Sequence, residues 1–124
     1  MFIVISPQNP DPLYKQVTDQ IKDAIASETL KPETKLPSIR EMAKDLKISM
    51  ITIKKAYADL ENEGYILTRS GLGSFVANIN MDKLREEKLV EIRSELKKIL
   101  LAAARYNISA DDIFTNLRGK GVKE

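Results

Sequence analysis

The 124-residue sequence contains no cysteine, no histidine and no tryptophan, and only 6% of its residues are aromatic. Without cysteine the chain cannot form disulfides or use thiolate chemistry, and a cytoplasmic location is the default expectation. Without histidine it lacks the usual general base and the commonest metal ligand, so an enzyme would have to work with carboxylates, lysines, serines and tyrosines alone. We therefore expect no catalytic activity, no metal site and no cofactor.

Long apolar runs are also missing. No run approaches the ~18 residues that a membrane span needs, and the N-terminal MFIVIS is too short and lacks the basic flank of a secretory signal. The length fits one domain or little more. The changes of pattern along the chain predict a domain over residues 1–79 and a helical tail over 80–124.

Positive charge is concentrated in one part of the chain. The formal net charge is only +2, but six bases stand against two acids between residues 35 and 55. The bases are Lys35, Arg40, Lys44, Lys47, Lys54 and Lys55. Such a local excess is typical of a surface that contacts phosphates, although a solvated helix face can carry similar charge.

The stretch Ile48–Gly64 predicts a capped amphipathic helix with an asymmetric charge distribution. Ser49 can cap the first turn, and Gly64 can supply the left-handed residue after the last turn. Bases and hydroxyls occupy the first two turns, whereas the acids are confined to the C-terminal half. A recognition helix that enters a major groove needs this arrangement, but an ordinary core helix would show a similar pattern.

A shorter helix is predicted just before it, over residues 38–46. Ser38 and Glu41 have the spacing of a capping box, and only Lys47 and Ile48 separate this helix from the next cap. Two short helices joined by a tight turn, the second with a cationic start, predict a helix-turn-helix.

The N-terminal part of the chain predicts one more helix and a short strand. Residues 2–5, FIVI, are β-branched and aromatic, which predicts a strand whose pairing the sequence does not reveal. Asp11 as the N-cap and Pro12 at the first helical position predict a helix over about 12–27. An extended connector with two prolines follows.

After Gly64 the pattern changes to that of a hairpin. Residues 65–69 and 74–77 are strand-like, and Ser70-Gly71-Leu72-Gly73 supplies the turn between them. A hairpin directly after a recognition helix is a wing. The two glycines fit turn geometry, with close backbone approach to a phosphate as the functional alternative.

The tail predicts a long helix over 82–105 and a shorter one that starts at Ser109. Because two helices in this length cannot enclose a core, we expect the apolar seam of the long helix to be buried against a second copy of the chain. Folding back on the first domain is the alternative. The candidate dimerisation residues are Leu89, Ile92, Leu96, Ile99, Ala103 and Tyr106, with Phe114 of the shorter helix.

The predicted fold class is thus mainly α with a small β wing, a winged helix-turn-helix domain followed by a short two-helix dimerisation region.

Four segments of the sequence resemble GntR-type bacterial transcription regulators, in that family's order and spacing. They are PLYKQ (12–16), LPSIREMA (36–43), TIKKAYADLENEGY (52–65) and GLGSFVA (71–77). The short tail and the form SMITIKKAY resemble the YtrA-like branch, which has no large effector domain.

The resemblance implies a homodimeric repressor that binds an inverted repeat in double-stranded DNA, often near its own operon and transporter genes. It leaves the operator sequence and any effector open. By position, it implies that Arg40 reaches DNA from the start of the second helix, that Thr52 offers a hydroxyl and that Ser70 and Gly71 approach the minor groove. The full candidate DNA-binding set is Lys35, Ser38, Arg40, Ser49, Met50, Ile51, Thr52, Lys54, Lys55, Arg69, Ser70 and Gly71.

The sequence departs from the broader family at three positions. Met50 and Ile51 stand where many members have Arg and a small polar residue, which removes a guanine reader and exposes an isoleucine. Ile51 could contact a thymine methyl; alternatively, it packs on Met50 or Lys47 and reads nothing. Glu33 replaces a glycine that is common after the connector proline.

Two other function classes remain as alternatives. A winged helix can serve as a protein-interaction module, which would require an apolar or acidic recognition face rather than the basic one found here. A small enzyme could use Ser38 with Lys35 or Ser70 with Arg69, but a cap and a turn explain both serines.

Overall fold

The structure, a computed structural model, describes residues 3–119 and forms two compact units, Met1–Asn80 and Met81–Glu124. Its elements are α1 (Leu13–Ala26), α2 (Ile39–Leu46), α3 (Met50–Asn62), β1 (Ile66–Arg69), β2 (Gly73–Val76), α4 (Met81–Ala104) and α5 (Ala110–Gly119). This helical architecture with a small antiparallel β1–β2 sheet confirms the predicted fold class. Within residues 3–119, no helix has the length and apolar character to cross a membrane.

Helix α3 lies at the centre of the first unit and packs against α1, α2 and β1. Its Ile53 and Leu60 are fully buried, as are Val17 and Ile21 of α1 and Val76 of β2. Full burial of an aliphatic side chain contributes roughly 1.5–3 kcal/mol, so these residues fix the position of α3. The opposite face of α3 is thereby presented to solvent.

The starts of α2 and α3 follow the predicted caps. The Ser38 hydroxyl accepts from the Glu41 N–H at 3.0 Å, and the Glu41 carboxylate accepts from the Ser38 N–H at 2.9 Å. Ser49 accepts from the Thr52 N–H at 3.1 Å. The capping box and the N-cap therefore set where each helix begins.

The predicted start of α1 was wrong by one residue. Pro12 is the N-cap, with φ −56° and ψ 152°, and the first helical residue is Leu13. Asp11 makes no capping hydrogen bond; its N–H donates instead to the side chain of Asn9 at 2.9 Å. The extended ψ of Pro12 keeps Asp11 one residue too far from the first turn.

The predicted strand at FIVI was also wrong for the residues that the structure describes. Residues 3–5 belong to no strand, and Phe2 lies outside the described range. Ile3 is nevertheless buried, while Val4 is exposed and bonds through its backbone to a side chain of α1. Residues 3–5 therefore have no strand partner, and a helix side chain bonds to Val4 instead.

The hairpin forms as predicted, with Ile66 opposite Val76 and Arg69 opposite Gly73. The connector runs beside its second strand, which the sequence did not indicate. Leu36 donates to the Ser74 carbonyl at 2.9 Å, and Val76 donates to the Thr34 carbonyl at 2.9 Å. The base of the wing is thus anchored to the connector.

The turn between α2 and α3 depends on a left-handed residue. Lys47 has φ 58°, and the Ile48 N–H donates to the Ala43 carbonyl at 3.1 Å. Gly64, with φ 84°, ends α3 in the same way, because the Tyr65 N–H donates to the Leu60 carbonyl at 2.9 Å. Both helices therefore stop sharply.

The second unit consists of α4 and α5. Asn107, at φ 59°, follows the end of α4, and Ser109 and Asp112 form a reciprocal cap at the start of α5, with bonds of 2.9 and 3.1 Å. No side chain of α4 is buried. Ile92, Ile99 and Tyr106 of the predicted seam are 59%, 58% and 79% exposed.

Candidate nucleic-acid interface

The start of α2 is tied to the middle of α3. The Tyr57 hydroxyl donates to the Pro37 carbonyl at 2.6 Å, directly before the Ser38 cap. Burial, and secondarily the charge of Glu41, raises the pKa of Tyr57 above its ordinary value. Tyr57 therefore stays neutral and holds the first turn of α2 beside α3.

That first turn presents a cation to solvent. Arg40 is exposed, two residues after the cap. The hydrogen bonds from the Ser38 backbone and hydroxyl, with a smaller effect of the charge on Lys35, hold the pKa of Glu41 below its usual value. Glu41 is thus fixed as an anionic cap and faces its own helix start, while the Arg40 guanidinium is left exposed.

The first two turns of α3 carry an exposed, partly apolar surface. Ile51 is 80% exposed and Met50 is 49% exposed. The hydroxyls of Ser49 and Thr52 lie 2.9 Å apart, so each can still share a hydrogen bond with a further group. Lys54 is exposed and forms no ion pair with any described residue.

Lys55 is engaged within the unit. Its Nζ lies 4.5 Å from the centroid of the Tyr14 ring and 3.5 Å from the Asp59 carboxylate. Tyr14, Ile51 and Lys55 border an open cleft of about 310 Å³ between the starts of α1 and α3. Lys55 thus extends toward α1, whereas Lys54 extends toward the wing.

A second cleft, of about 300 Å³, joins three elements of the predicted site. Ile39 of α2, Lys54 and Tyr57 of α3, and Thr68 and Ser74 of the hairpin line it. The start of α2, the solvent face of α3 and the base of the wing therefore adjoin one another on the surface of the first unit.

The tip of the wing is exposed and turns at a glycine. Ser70 and Gly71 are exposed, Gly71 has φ 75°, and the Leu72 N–H donates to the Arg69 carbonyl at 2.9 Å. Leu72 is 61% exposed. A side chain at Gly71 would be strained by the backbone, although nothing lies within 4 Å of its Cβ position.

Residues 13–76 match the family model described as "Bacterial regulatory proteins, gntR family". The chain belongs to the GntR family. It is 36% identical to the HTH-type transcriptional repressor YtrA of Bacillus subtilis (strain 168) over 101 residues, which cover 82% of this chain and 78% of YtrA.

Two solved structures resemble this GntR-family chain. YtrA from Sulfolobus acidocaldarius, a GntR-family transcription factor, matches with a TM-score of 0.62 and 35% identity over 76% of this chain and 99% of that one. AraR(DBD), solved in complex with operator ORX1, matches with a TM-score of 0.55 and 30% identity over 62% of this chain and all (100%) of that one. The family is one of bacterial regulatory proteins, and YtrA of Bacillus subtilis is a transcriptional repressor. The chain is a DNA-binding transcription regulator.

Within this GntR regulator, all twelve candidate residues are exposed except Thr52, which is half-buried. The side chain of Lys35 lies beside Gly73 of the wing. Ser38 and Ser49 serve as caps, and Lys55 and Arg69 have partners within the protein. Sequence reasoning missed the partners Tyr14 and Glu33 because they are distant in the chain. It also missed exposed Leu72, whose place in the turn was the only available signal.

Among residues 3–119, no group of three or more potential metal ligands lies together. The chemistry that this surface offers is hydrogen bonding, cationic attraction and apolar contact, which are the interactions that recognise a DNA duplex.

Proposed function

We propose that this GntR-family regulator is a repressor that binds an inverted-repeat operator as a homodimer and controls its own operon and transporter genes. The observation that carries the proposal is the exposure of Arg40, of the first turns of α3 and of the wing tip on one unit, in which α2, α3 and the hairpin border a common cleft. YtrA, the repressor named above, supports the direction of regulation.

In this proposal the first turns of α3 enter the major groove. Arg40 supplies a planar fork that suits guanine or phosphate, and Lys54 supplies a point charge that suits phosphate. Thr52 and the Ser49 cap offer hydroxyls at the groove edge. The glycine turn at Gly71 lets the wing backbone approach the adjacent minor groove. AraR(DBD), a relative by structure, was solved with an operator.

The second unit supplies the dimer contact. Ile92 and Ile99 of α4 and Tyr106, in the turn after it, recur with heptad spacing, and each residue is more than half exposed. An exposed apolar stripe of this kind favours association with a second copy. A two-fold dimer would present two recognition helices to the two half-sites of an inverted repeat.

The DNA-binding part is tested with the full chain and a labelled fragment of its own upstream DNA, against scrambled DNA of equal length, at about 50 and 200 mM salt. We expect a specific complex that weakens steeply with salt and is lost in Arg40→Ala. Lys97→Gln, which removes an exposed charge from α4, serves as the control. Failure to bind any duplex at low salt would favour a protein-interaction module instead.

The dimer is tested with a matched pair of substitutions on α4. Ile99 and Leu101 are similarly exposed, at 58% and 62%, but their directions differ by about 200° around the helix. We expect Ile99→Arg to give monomers in sedimentation equilibrium and Leu101→Arg to remain dimeric. Monomeric wild type, or equal effects of both variants, would contradict the proposed seam.

A further inference from the structure

The arginine at the end of β1 is held by an acid from the connector. The Arg69 Nη2 lies 2.7 Å from the Glu33 Oε2, and the guanidinium lies 4.8 Å from the centroid of the Phe75 ring. Arg69 directly precedes the tip of the wing, Ser70-Gly71. A side chain at this position is placed to meet a phosphate when the tip approaches DNA.

The backbone fixes the acid in this position. Glu33 has φ 70°, a left-handed conformation that favours glycine. Its N–H donates to the Val76 carbonyl at 2.9 Å, and the neighbouring Thr34 carbonyl accepts from the Val76 N–H. The carboxylate is therefore presented to Arg69 by a segment that is bonded to the wing itself.

We propose that Glu33 competes with DNA phosphates for Arg69 and thereby sets how strongly the wing binds DNA. The inference rests on the proposed DNA-binding function. A carboxylate and a phosphate are both oxyanions that fit the guanidinium fork. In the free protein the carboxylate occupies Arg69. When the wing binds DNA, Arg69 must either leave Glu33 or keep the ion pair. Keeping it brings the negative charge of Glu33 close to the phosphate.

The exposure of the pair keeps the competition reversible. The two side chains are 43% and 58% exposed, and exposed ion pairs are weak. DNA can therefore displace Glu33 from Arg69, but breaking the ion pair lowers the affinity of the protein for DNA. The internal ion pair weakens a phosphate interaction and does not abolish it.

A matched acid elsewhere in the chain provides the control. Glu28 is also exposed, has φ 62°, and forms no ion pair with any described residue. Glu33→Gln and Glu28→Gln each remove one negative charge from a left-handed position. Only the first variant removes the ion pair of Arg69, whose contact with the Phe75 ring remains.

The test measures binding of the full chain to a labelled random-sequence duplex as a function of salt. We expect Glu33→Gln to bind about two- to fivefold more tightly than Glu28→Gln at low salt. The slope of log K against log salt should steepen by about 0.9 for each additional phosphate that the variant neutralises. In an Arg69→Gln background, the two variants should bind equally.

The outcomes separate the inference from the function on which it rests. If the wild type binds no duplex, the proposed function fails. If the wild type binds but Glu33→Gln equals Glu28→Gln, Glu33 does not compete. If Glu33→Gln binds more weakly, Glu33 instead holds Arg69 ready for DNA, and the inference is overturned. Thermal unfolding of each variant confirms that it is folded.

Discussion

The side-chain amide of Gln20 binds both backbone polar groups of Val4. The Val4 N–H donates to Oε1 at 3.0 Å, and Nε2 donates to the Val4 carbonyl at 2.7 Å. Gln16, one turn earlier, binds Ser6 in the same way at 3.0 and 3.3 Å. The two spacings match. Gln16 and Gln20 are four residues apart, a rise of about 6 Å along a helix, and Val4 and Ser6 are two residues apart, which corresponds to about 6.6 Å in an extended chain.

Gln16 is expected to contribute more to stability than Gln20. It is 5% exposed and also donates to the Asp11 carbonyl at 3.1 Å. Gln16→Leu leaves these backbone groups without partners in a buried setting, so we expect a loss of about 3 kcal/mol in the free energy of unfolding. Gln20→Leu, whose partners are open to water, should cost about 1 kcal/mol. Urea unfolding followed by circular dichroism measures both, and equal losses would contradict this ranking.

The N-terminal segment shows why part of the fold could not be predicted. The residues of FIVI favour an extended strand, but in the described part of the segment Val4 bonds to a side-chain amide of a helix and not to another strand. Strand propensity describes the chain itself and not what the chain pairs with. The spacing of Gln16 and Gln20 was the only signal of this arrangement.

A left-handed backbone conformation could be predicted only at residue types that tolerate positive φ. Gly64 and Asn107 are residue types that tolerate positive φ, and the position of Gly64 was predicted. Lys47 and Glu33 adopt the same conformation at a steric cost of roughly 1–2 kcal/mol. At Glu33 the conformation goes with the bond from its N–H to the distant Val76 carbonyl, which the local sequence does not reveal. At Lys47 it goes with the local bond from the Ile48 N–H to the Ala43 carbonyl, but lysine is not a residue type that marks a left-handed position.

Alkaline pH should reveal the role of Tyr57. Burial raises the pKa of its phenol, so the folded state keeps the proton at a pH where the unfolded state releases it. The stability that Tyr57 provides is therefore complete below the unfolded pKa of about 10 and is lost as pH rises above it.

Comparison with Tyr57→Phe isolates this contribution. At neutral pH the variant should lose about 1 kcal/mol with the bond to Pro37. Above about pH 10 the wild-type advantage should shrink, because the unfolded tyrosine then ionises while phenylalanine does not titrate. Urea unfolding at several pH values measures the difference between the two proteins. Tyr106→Phe, at a 79% exposed position, controls for the loss of a hydroxyl; a constant difference for Tyr57→Phe would contradict the prediction.

The exposed residues of the candidate site could be predicted from the local sequence, whereas their partners in distant segments could not. Caps and the apolar stripe fix which face of α3 is buried, so the exposure of Met50 and Ile51 follows from local pattern. The contact of Lys55 with Tyr14 and that of Arg69 with Glu33 join distant segments. These partners decide which cations can bind DNA without first breaking an internal contact.

The two adjacent lysines of α3 should therefore differ in their effect on DNA binding. Lys54 has no ion pair within the described range, whereas Lys55 contacts Tyr14 and Asp59. Lys54→Gln should reduce the slope of log K against log salt by about 0.9, the value for one phosphate contact. Lys55→Gln should change it less. Titration of a labelled duplex at several salt concentrations measures the slopes, and the reverse order would disprove this assignment.

Ile51 is expected to read thymine through its methyl group. Ile51 is 80% exposed at the start of α3, and if α3 enters the major groove as proposed, this side chain offers an apolar surface to the bases. Burial of one methyl contributes about 0.8 kcal/mol, which is roughly fourfold in Kd. In an operator recovered by selection from random duplexes, replacing half-site thymines with uracil should weaken wild-type binding by about this factor per contact.

Ile51→Ala supplies the control for this experiment, because it should bind the thymine and uracil duplexes with nearly equal affinity. Ile51 also borders the cleft beside Leu13 and Tyr14. If it only packs toward α1, the uracil duplex will bind both proteins as well as the thymine duplex does. An equal loss in both proteins would mean that another residue contacts the methyl group. Only a loss confined to the wild type assigns thymine recognition to Ile51.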